Sequence, residues 1–162
     1  MSMKEQLHRT AQDIVALATQ KKLTICSVES ITGGRISAEI TSISGASTPF
    51  FAGGVFYDKR AKEDILGIST ETIKKYGVYS TECASAMAQC WREKCKADIC
   101  VSTTGRAEAV SNILPEVFFG ISTRFGEKTT HKTFSGTRTE VQEQATLFAL
   151  ILLKEEIETL KA

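Results

Sequence analysis

The strongest constraint on this chain is an alternation. Short runs rich in β-branched and apolar residues, LTICSV at 23–28, FFAGGVFY at 50–57 and DICVST at 98–103, are separated by stretches whose apolar residues recur at helical spacing. Such a repeat makes consecutive strands parallel and puts the helices on the faces of the sheet. The first helix is expected over 4–20, where Leu7, Ala11, Ile14, Val15, Leu17 and Ala18 share a face. A second is expected from about 31 to 42, carrying Ile36 and Ile40, before the turn-rich SISGASTP. Short helices follow at 58–67, with Asp58 as N-cap, and at 70–76, with Gly77 as stop; a longer one runs from Ser80 to about 97. Residues 116–124 and 128–134 read as a hairpin joined at Phe125-Gly126-Glu127. Thr137-Arg138-Thr139-Glu140 is a capping box that opens the last helix. The segment RAEAVSNILP (106–115) has no clear period. Together these give an α/β fold: a three-layer α/β/α single domain over 1–162, its mixed sheet mostly parallel with one strand antiparallel.

A chain of 162 residues buries roughly 68–70% of its unfolded surface, enough for a core without a disulfide or structural metal. With 20 basic and 19 acidic residues the net charge is +1, which provides no long-range attraction to nucleic acid or to anionic membranes. No apolar run approaches the roughly 18 residues of a membrane span. The N-terminus, MSMKEQLHRTAQDIVALATQ, lacks an apolar signal core. A cytoplasmic protein is expected, and Cys26, Cys83, Cys90, Cys95 and Cys100 then read as free thiols acting as small hydrophobes. The two histidines, His8 and His131, sit among polar residues and make poor material for a zinc site. Neither a metal nor a cofactor is expected. Phe50, Phe51, Phe118 and Phe119 read as core, and a homo-oligomer stays open.

One junction carries unusual chemistry. After the first strand come Glu29, Ser30, Ile31, Thr32, Gly33 and Gly34. Ser30 has two readings. Its hydroxyl can cap the following helix by accepting from the Thr32 or Gly33 N–H. Alternatively, free N–H groups at that helix start stabilise an oxyanion while Ser30 attacks a carbonyl. A nucleophilic serine needs a base, and the histidines are badly placed. A lysine remains, in a Ser–Lys arrangement, with YDKRAK (57–62) supplying Tyr57, Lys59 and Lys62. The competing reading makes Lys59, Arg60 and Lys62 a solvated helix face.

Five segments in order, VESITGGRISAEIT, GGVFYDKRAKEDILGI, YGVYSTECASAMA, ADICVSTTG and TFSGTRTEVQEQAT, resemble the CinA C-terminal-domain family, which contains the nicotinamide-nucleotide amidohydrolases. The resemblance spans nearly the whole chain. It implies hydrolysis of the carboxamide of nicotinamide mononucleotide to nicotinate mononucleotide and ammonia. It implies Ser30 as nucleophile, with Tyr57 and Lys62 handling protons. Glu29, Thr32, Gly33, Gly34, Thr104, Gly105 and Arg138 would form the substrate site, the Thr32 and Gly33 N–H groups serving the oxyanion. For Arg138 the physical reason is guanidinium–phosphate pairing. The implied partner is a small nucleotide substrate. The family's larger members carry a further N-terminal hydrolase domain; here a single domain without it is expected.

The chain departs from the family after the third strand. The family continues with a glycine-rich loop, whereas this chain reads Thr104-Gly105-Arg106-Ala107-Glu108-Ala109-Val110 and is a few residues shorter by this resemblance. Arg106, Glu108 and branched side chains are expected to fill the space. Two alternatives follow from the missing loop: a catalytically silent nucleotide-binding or interaction module on the same fold, or an amidase for another small amide.

Overall fold

The computed structural model describes residues 1–161. Its elements run in chain order as α1 (Met3–Gln20), β1 (Ile25–Glu29), α2 (Arg35–Thr41), β2 (Phe50–Val55), a π-helical turn (Ala61–Ile65), α3 (Thr70–Tyr76), α4 (Thr81–Cys95), β3 (Ile99–Gly105), β4 (Glu116–Thr123), β5 (Gly126–Thr133) and α5 (Arg138–Thr159). The five strands form one sheet in the order β2-β1-β3-β4-β5. β1 pairs in parallel with β2 and β3, and β4 pairs antiparallel with both β3 and β5. Only β4 therefore runs against the other four strands, as expected.

The sheet separates two cores. On one face α1, α2 and α5 bury Ile14, Ile36, Ile40, Val141, Leu150 and Leu153 against Ile25, Ile99, Val101 and Phe119. On the other face the π-helical turn, α3 and α4 bury Leu66, Ile73, Cys83 and Met87 against Cys26, Val28 and Cys100. These are the three layers, and β1 and β3 are buried along nearly their whole length because both faces are covered. Cys26, Cys83 and Cys100 are buried free thiols and behave as the small hydrophobes expected, while Cys90 and Cys95 are half-buried. Of the four phenylalanines read as core, Phe119 alone is fully buried; Phe50 and Phe118 are partly covered, and Phe51 is 65% exposed on the edge strand β2.

Two boundaries differ from the sequence expectation for physical reasons. The second helix starts at Arg35 rather than near 31, because Gly33 (φ 60°) and Gly34 (φ 98°) hold left-handed backbone that a helix cannot contain. The segment 58–67 forms no ordinary helix. It widens into π-helical backbone, where the Leu66 N–H reaches back to the Ala61 carbonyl. The hairpin turn is also tighter than expected, with Gly126 already paired to Thr123.

Chain order sets the place of a site. From β1 the chain passes through α2 to β2 on one side, and then returns through α3 and α4 to β3 on the other. The carboxyl ends of β1 and β3 therefore border a crevice where connections leave in opposite directions, the usual ligand position in open α/β sheets.

Candidate active site

Ser30 is the first residue after β1. Its N–H donates to the Thr103 carbonyl at 3.1 Å, which extends the β1–β3 ladder by one bond and fixes the backbone at the crevice. Its hydroxyl does not cap α2. That task falls to Glu29, which is fully buried. One Glu29 carboxylate oxygen, Oε1, accepts from the Ile36 N–H (2.9 Å) and the Thr32 hydroxyl (2.7 Å). The other, Oε2, accepts from the Ser37 N–H (3.0 Å) and the Ser37 hydroxyl (2.8 Å). A carboxylate at a helix N-terminus satisfies donors that the helix leaves unpaired. The reach from strand end to helix start is possible because Gly33 and Gly34 fold the chain back on itself.

This arrangement corrects two sequence expectations. Glu29 does not line the cavity; it secures the turn that carries Ser30. Glu29 occupies the N–H groups of Ile36 and Ser37 at the start of α2, so of the two groups expected to serve an oxyanion, Thr32 and Gly33, only that of Thr32 stays free. The Gly33 N–H is committed as well, donating to the Ser30 carbonyl at 3.1 Å. The Thr32 hydroxyl is buried and also shares a proton with the Thr103 hydroxyl at 2.8 Å. The N–H groups of Ile31 and Thr32 have no acceptor among the described residues.

With its hydroxyl free of capping, Ser30 meets Lys62. The ammonium nitrogen Nζ lies 3.1 Å from Ser30 Oγ and 3.0 Å from the carbonyl oxygen of Tyr57, donating to both. Lys62 is 2% exposed, among the largest fully buried side chains of the protein. Lys62 lies within the π-helical turn and faces the interior, while Lys59 and Arg60 are exposed, so the solvated face read from this run of charges holds for those two alone. Burial lowers the Lys62 pKa below its ordinary value, opposed more weakly by the neighbouring Cys83 thiol and by Asp58. Burial in turn pushes the Cys83 thiol up to about 11, so at neutral pH Cys83 supplies no charge to hold the ammonium.

Tyr57 does not join this pair through its phenol. Only its carbonyl touches Lys62. The ring is exposed, and its hydroxyl accepts from Arg138 at 2.7 Å. The sequence-predicted Ser–Tyr–Lys group is thus a Ser30–Lys62 pair with Tyr57 across the opening. Thr104 also points elsewhere: its buried hydroxyl donates to the Val78 carbonyl at 2.7 Å and ties the α3–α4 connection to β3. Gly105 does border the cavity, at φ 156°, with Val117 Cα only 2.7 Å from where a Cβ would stand.

The cavity between these elements has a volume of about 430 Å³. Ser30 and Lys62 form its floor. Ile31, Tyr57, Val78, Tyr79, Arg106, Glu108 and Arg138 rise from there to its mouth. Arg138 is paired with Glu108 at 3.7 Å. Tyr79, not singled out from sequence, lines the wall next to Val78, whose carbonyl accepts from Thr104 across distant segments. Arg106 and Glu108 both line the cavity, in the space expected of them. His8 and His131 are exposed, His131 beside Glu116. Among the described residues no group of three His, Cys, Asp or Glu side chains could hold a metal ion, and no helix is long and apolar enough to cross a membrane.

Residues 7–157 match the CinA C-terminal domain. The chain belongs to this family. A CinA-like protein from Flavobacterium psychrophilum is 39% identical over 146 residues, covering 87% of this chain but 35% of its own length. A CinA-like protein from Thermotoga neapolitana is 30% identical over 152 residues, with 89% of this chain and 36% of its own length covered. The chain thus spans about a third of the length of these curated relatives. Among solved structures, the competence/damage inducible protein of Agrobacterium tumefaciens superposes with a TM-score of 0.86 at 29% identity, covering 95% of this chain and 96% of that one. The competence damage-inducible protein A of Klebsiella pneumoniae gives a TM-score of 0.90 at 23% identity, with 96% and 99% covered, a likeness of fold.

Proposed function

We propose that this CinA-family chain is an amidohydrolase that cleaves the carboxamide of nicotinamide mononucleotide through a Ser30 acyl-enzyme. The observation that carries the reading is the buried contact between Ser30 Oγ and Lys62 Nζ at 3.1 Å on the floor of a cavity of nucleotide size. Burial favours neutral Lys62, and a neutral amine can take the Ser30 proton. Ser30 Oγ then adds to the amide carbon. The oxygen that becomes negative is served by the Ile31 and Thr32 N–H groups in the turn that Glu29 holds. Lys62 returns the proton to the departing nitrogen, the C–N bond breaks, and ammonia leaves. Water, activated by the same lysine, hydrolyses the ester to the carboxylate and restores Ser30. Tyr57 and Arg138 border the mouth, where Arg138 meets the substrate's phosphate.

The test is incubation of the purified chain with nicotinamide mononucleotide, with nicotinate mononucleotide followed by liquid chromatography. Product is expected from wild type and none from Ser30→Ala. Equal product from both would reject Ser30 as nucleophile. The filled rim favours a second reading, in which the cavity binds a nucleotide without turnover or accepts another small amide. Binding of nicotinamide mononucleotide that is equal in wild type and Ser30→Ala, with no ammonia released by either, would select binding without turnover.

A further inference from the structure

Five of the cavity-lining residues are titratable and charged in type: Lys59, Lys62, Arg106, Glu108 and Arg138. Lys62 sits on the floor with its charge disfavoured by burial. The mouth therefore holds three cations and one carboxylate, an excess of positive charge in a chain whose net charge is only +1. Two of those cations have partners. Lys59 faces Glu63 at 4.0 Å, and Arg138 holds both the Tyr57 hydroxyl and Glu108. The Arg106 guanidinium has no hydrogen-bond or acidic partner among the described residues. It lies instead over the Tyr79 ring, 5.2 Å from the centroid, with its backbone N–H fixed to the Glu116 carbonyl at 3.0 Å.

A guanidinium stacked on an aromatic face is held in place while its N–H donors stay free. Arg106 so held, together with Arg138 on the same mouth, matches an anion of more than one charge and several acceptor oxygens, which describes a phosphate monoester better than a diester or a single carboxylate. Glu108 is the internal competitor, since it occupies Arg138 when no ligand is present. We infer that Arg106 joins Arg138 to form a phosphate-monoester subsite at the mouth of the cavity, with Arg106 the specificity-determining residue. The inference rests on the amidohydrolase reading for the orientation of the substrate, amide on the floor and phosphate at the mouth, but the subsite can be tested without catalysis.

The measurement is titration calorimetry at low ionic strength with nicotinate mononucleotide, which carries the phosphate and has no amide to cleave. Nicotinate riboside, which lacks the phosphate, and inorganic phosphate are run alongside. Arg106→Met keeps the aliphatic stem and should weaken mononucleotide binding by about tenfold, the loss of one charge-assisted contact. Glu108→Gln should tighten it, by roughly twofold given how exposed the pair is. Neither change should alter riboside binding. Inorganic phosphate should compete with the mononucleotide in wild type and lose that ability in Arg106→Met. Opposite signs from two neighbouring exposed side chains are not what a merely structural role produces. Equal affinity of wild type and Arg106→Met, equal affinity of wild type for mononucleotide and riboside, or no mononucleotide binding at all would each overturn the inference. Failure of the amidohydrolase reading looks different: the predicted binding pattern appears, but wild type releases no ammonia from the amide.

Discussion

The floor and the mouth of the cavity are built by opposite means. On the floor, the groups that place Ser30 are buried and mutually satisfied: Glu29 takes four hydrogen bonds, Thr32 joins Glu29 to Thr103, and Lys62 bridges Ser30 and the Tyr57 carbonyl. At the mouth, Arg106, Glu108 and Arg138 are exposed and meet through a stacking contact and an ion pair of 3.7 Å. A buried network tolerates little change, because a donor or acceptor left without its partner bears the full desolvation penalty. An exposed rim can be rewritten at small cost in stability. Arg106 and Glu108 can therefore be replaced at small cost in stability, whereas the groups around Ser30 cannot.

Substitutions can break this comparison, and the largest effect is expected at Lys62. Lys62→Met should lower amide turnover by about 10²–10⁴-fold, the usual range for loss of a general base. Its melting temperature should hold or rise, because an apolar chain of similar volume no longer asks the core to shelter an amine. Retained turnover in this variant would remove Lys62 from the mechanism.

Glu29→Ala comes next. It strips the acceptor from two buried helix-start N–H groups and should cost about 2–4 kcal/mol in urea unfolding. A cost under about 0.5 kcal/mol would mean that the floor is no more rigidly held than the mouth.

Acidity provides a third and graded test. The Lys62 pKa is lowered in the folded protein, so between that value and its unfolded value the unfolded chain binds more protons. Stability should therefore climb with pH across that window, and the penalty should be fully present below it. Lys62→Met should flatten this slope in denaturation curves taken at several pH values. Turnover by wild type should rise through the same lowered pKa as Lys62 becomes neutral. A wild-type slope matching that of the variant would refute the assignment.

The smallest effect is expected at the mouth. Glu108→Gln should change unfolding free energy by less than about 0.5 kcal/mol, as exposed ion pairs do. A loss as large as that of Glu29→Ala would show that the rim is structural after all.

The fold was legible because its signals are local. Helical periodicity marked α1, α4 and α5, apolar runs marked β1 and β3, and Gly77 and Ser80 marked the ends of α3 and α4. Ser30 and Lys62 were also legible as candidates, since a serine between strand and helix and a lysine-rich turn both stand out by residue type. Their environment was not. The capping rule assigns the helix start to the nearest hydroxyl, yet here a carboxylate from the preceding strand returns across two left-handed glycines. A run of charges reads as a wet face, yet of Lys59, Arg60 and Lys62 the first two are exposed and Lys62 is buried. Tyr79 stacks with Arg106 and lines the cavity beside Val78, which is tied to Thr104, 26 residues on; no local pattern encodes such contacts.

Labelling with a fluorophosphonate probe, read by intact and peptide mass spectrometry, tests most directly whether Lys62 activates Ser30, because it depends on no choice of substrate. The account predicts one adduct per chain on the Ser30 peptide. The labelling rate should rise with pH as Lys62 loses its proton, and labelling should be abolished in Ser30→Ala and nearly so in Lys62→Met. An unlabelled wild type, or equal labelling rates in wild type and Lys62→Met, would contradict it.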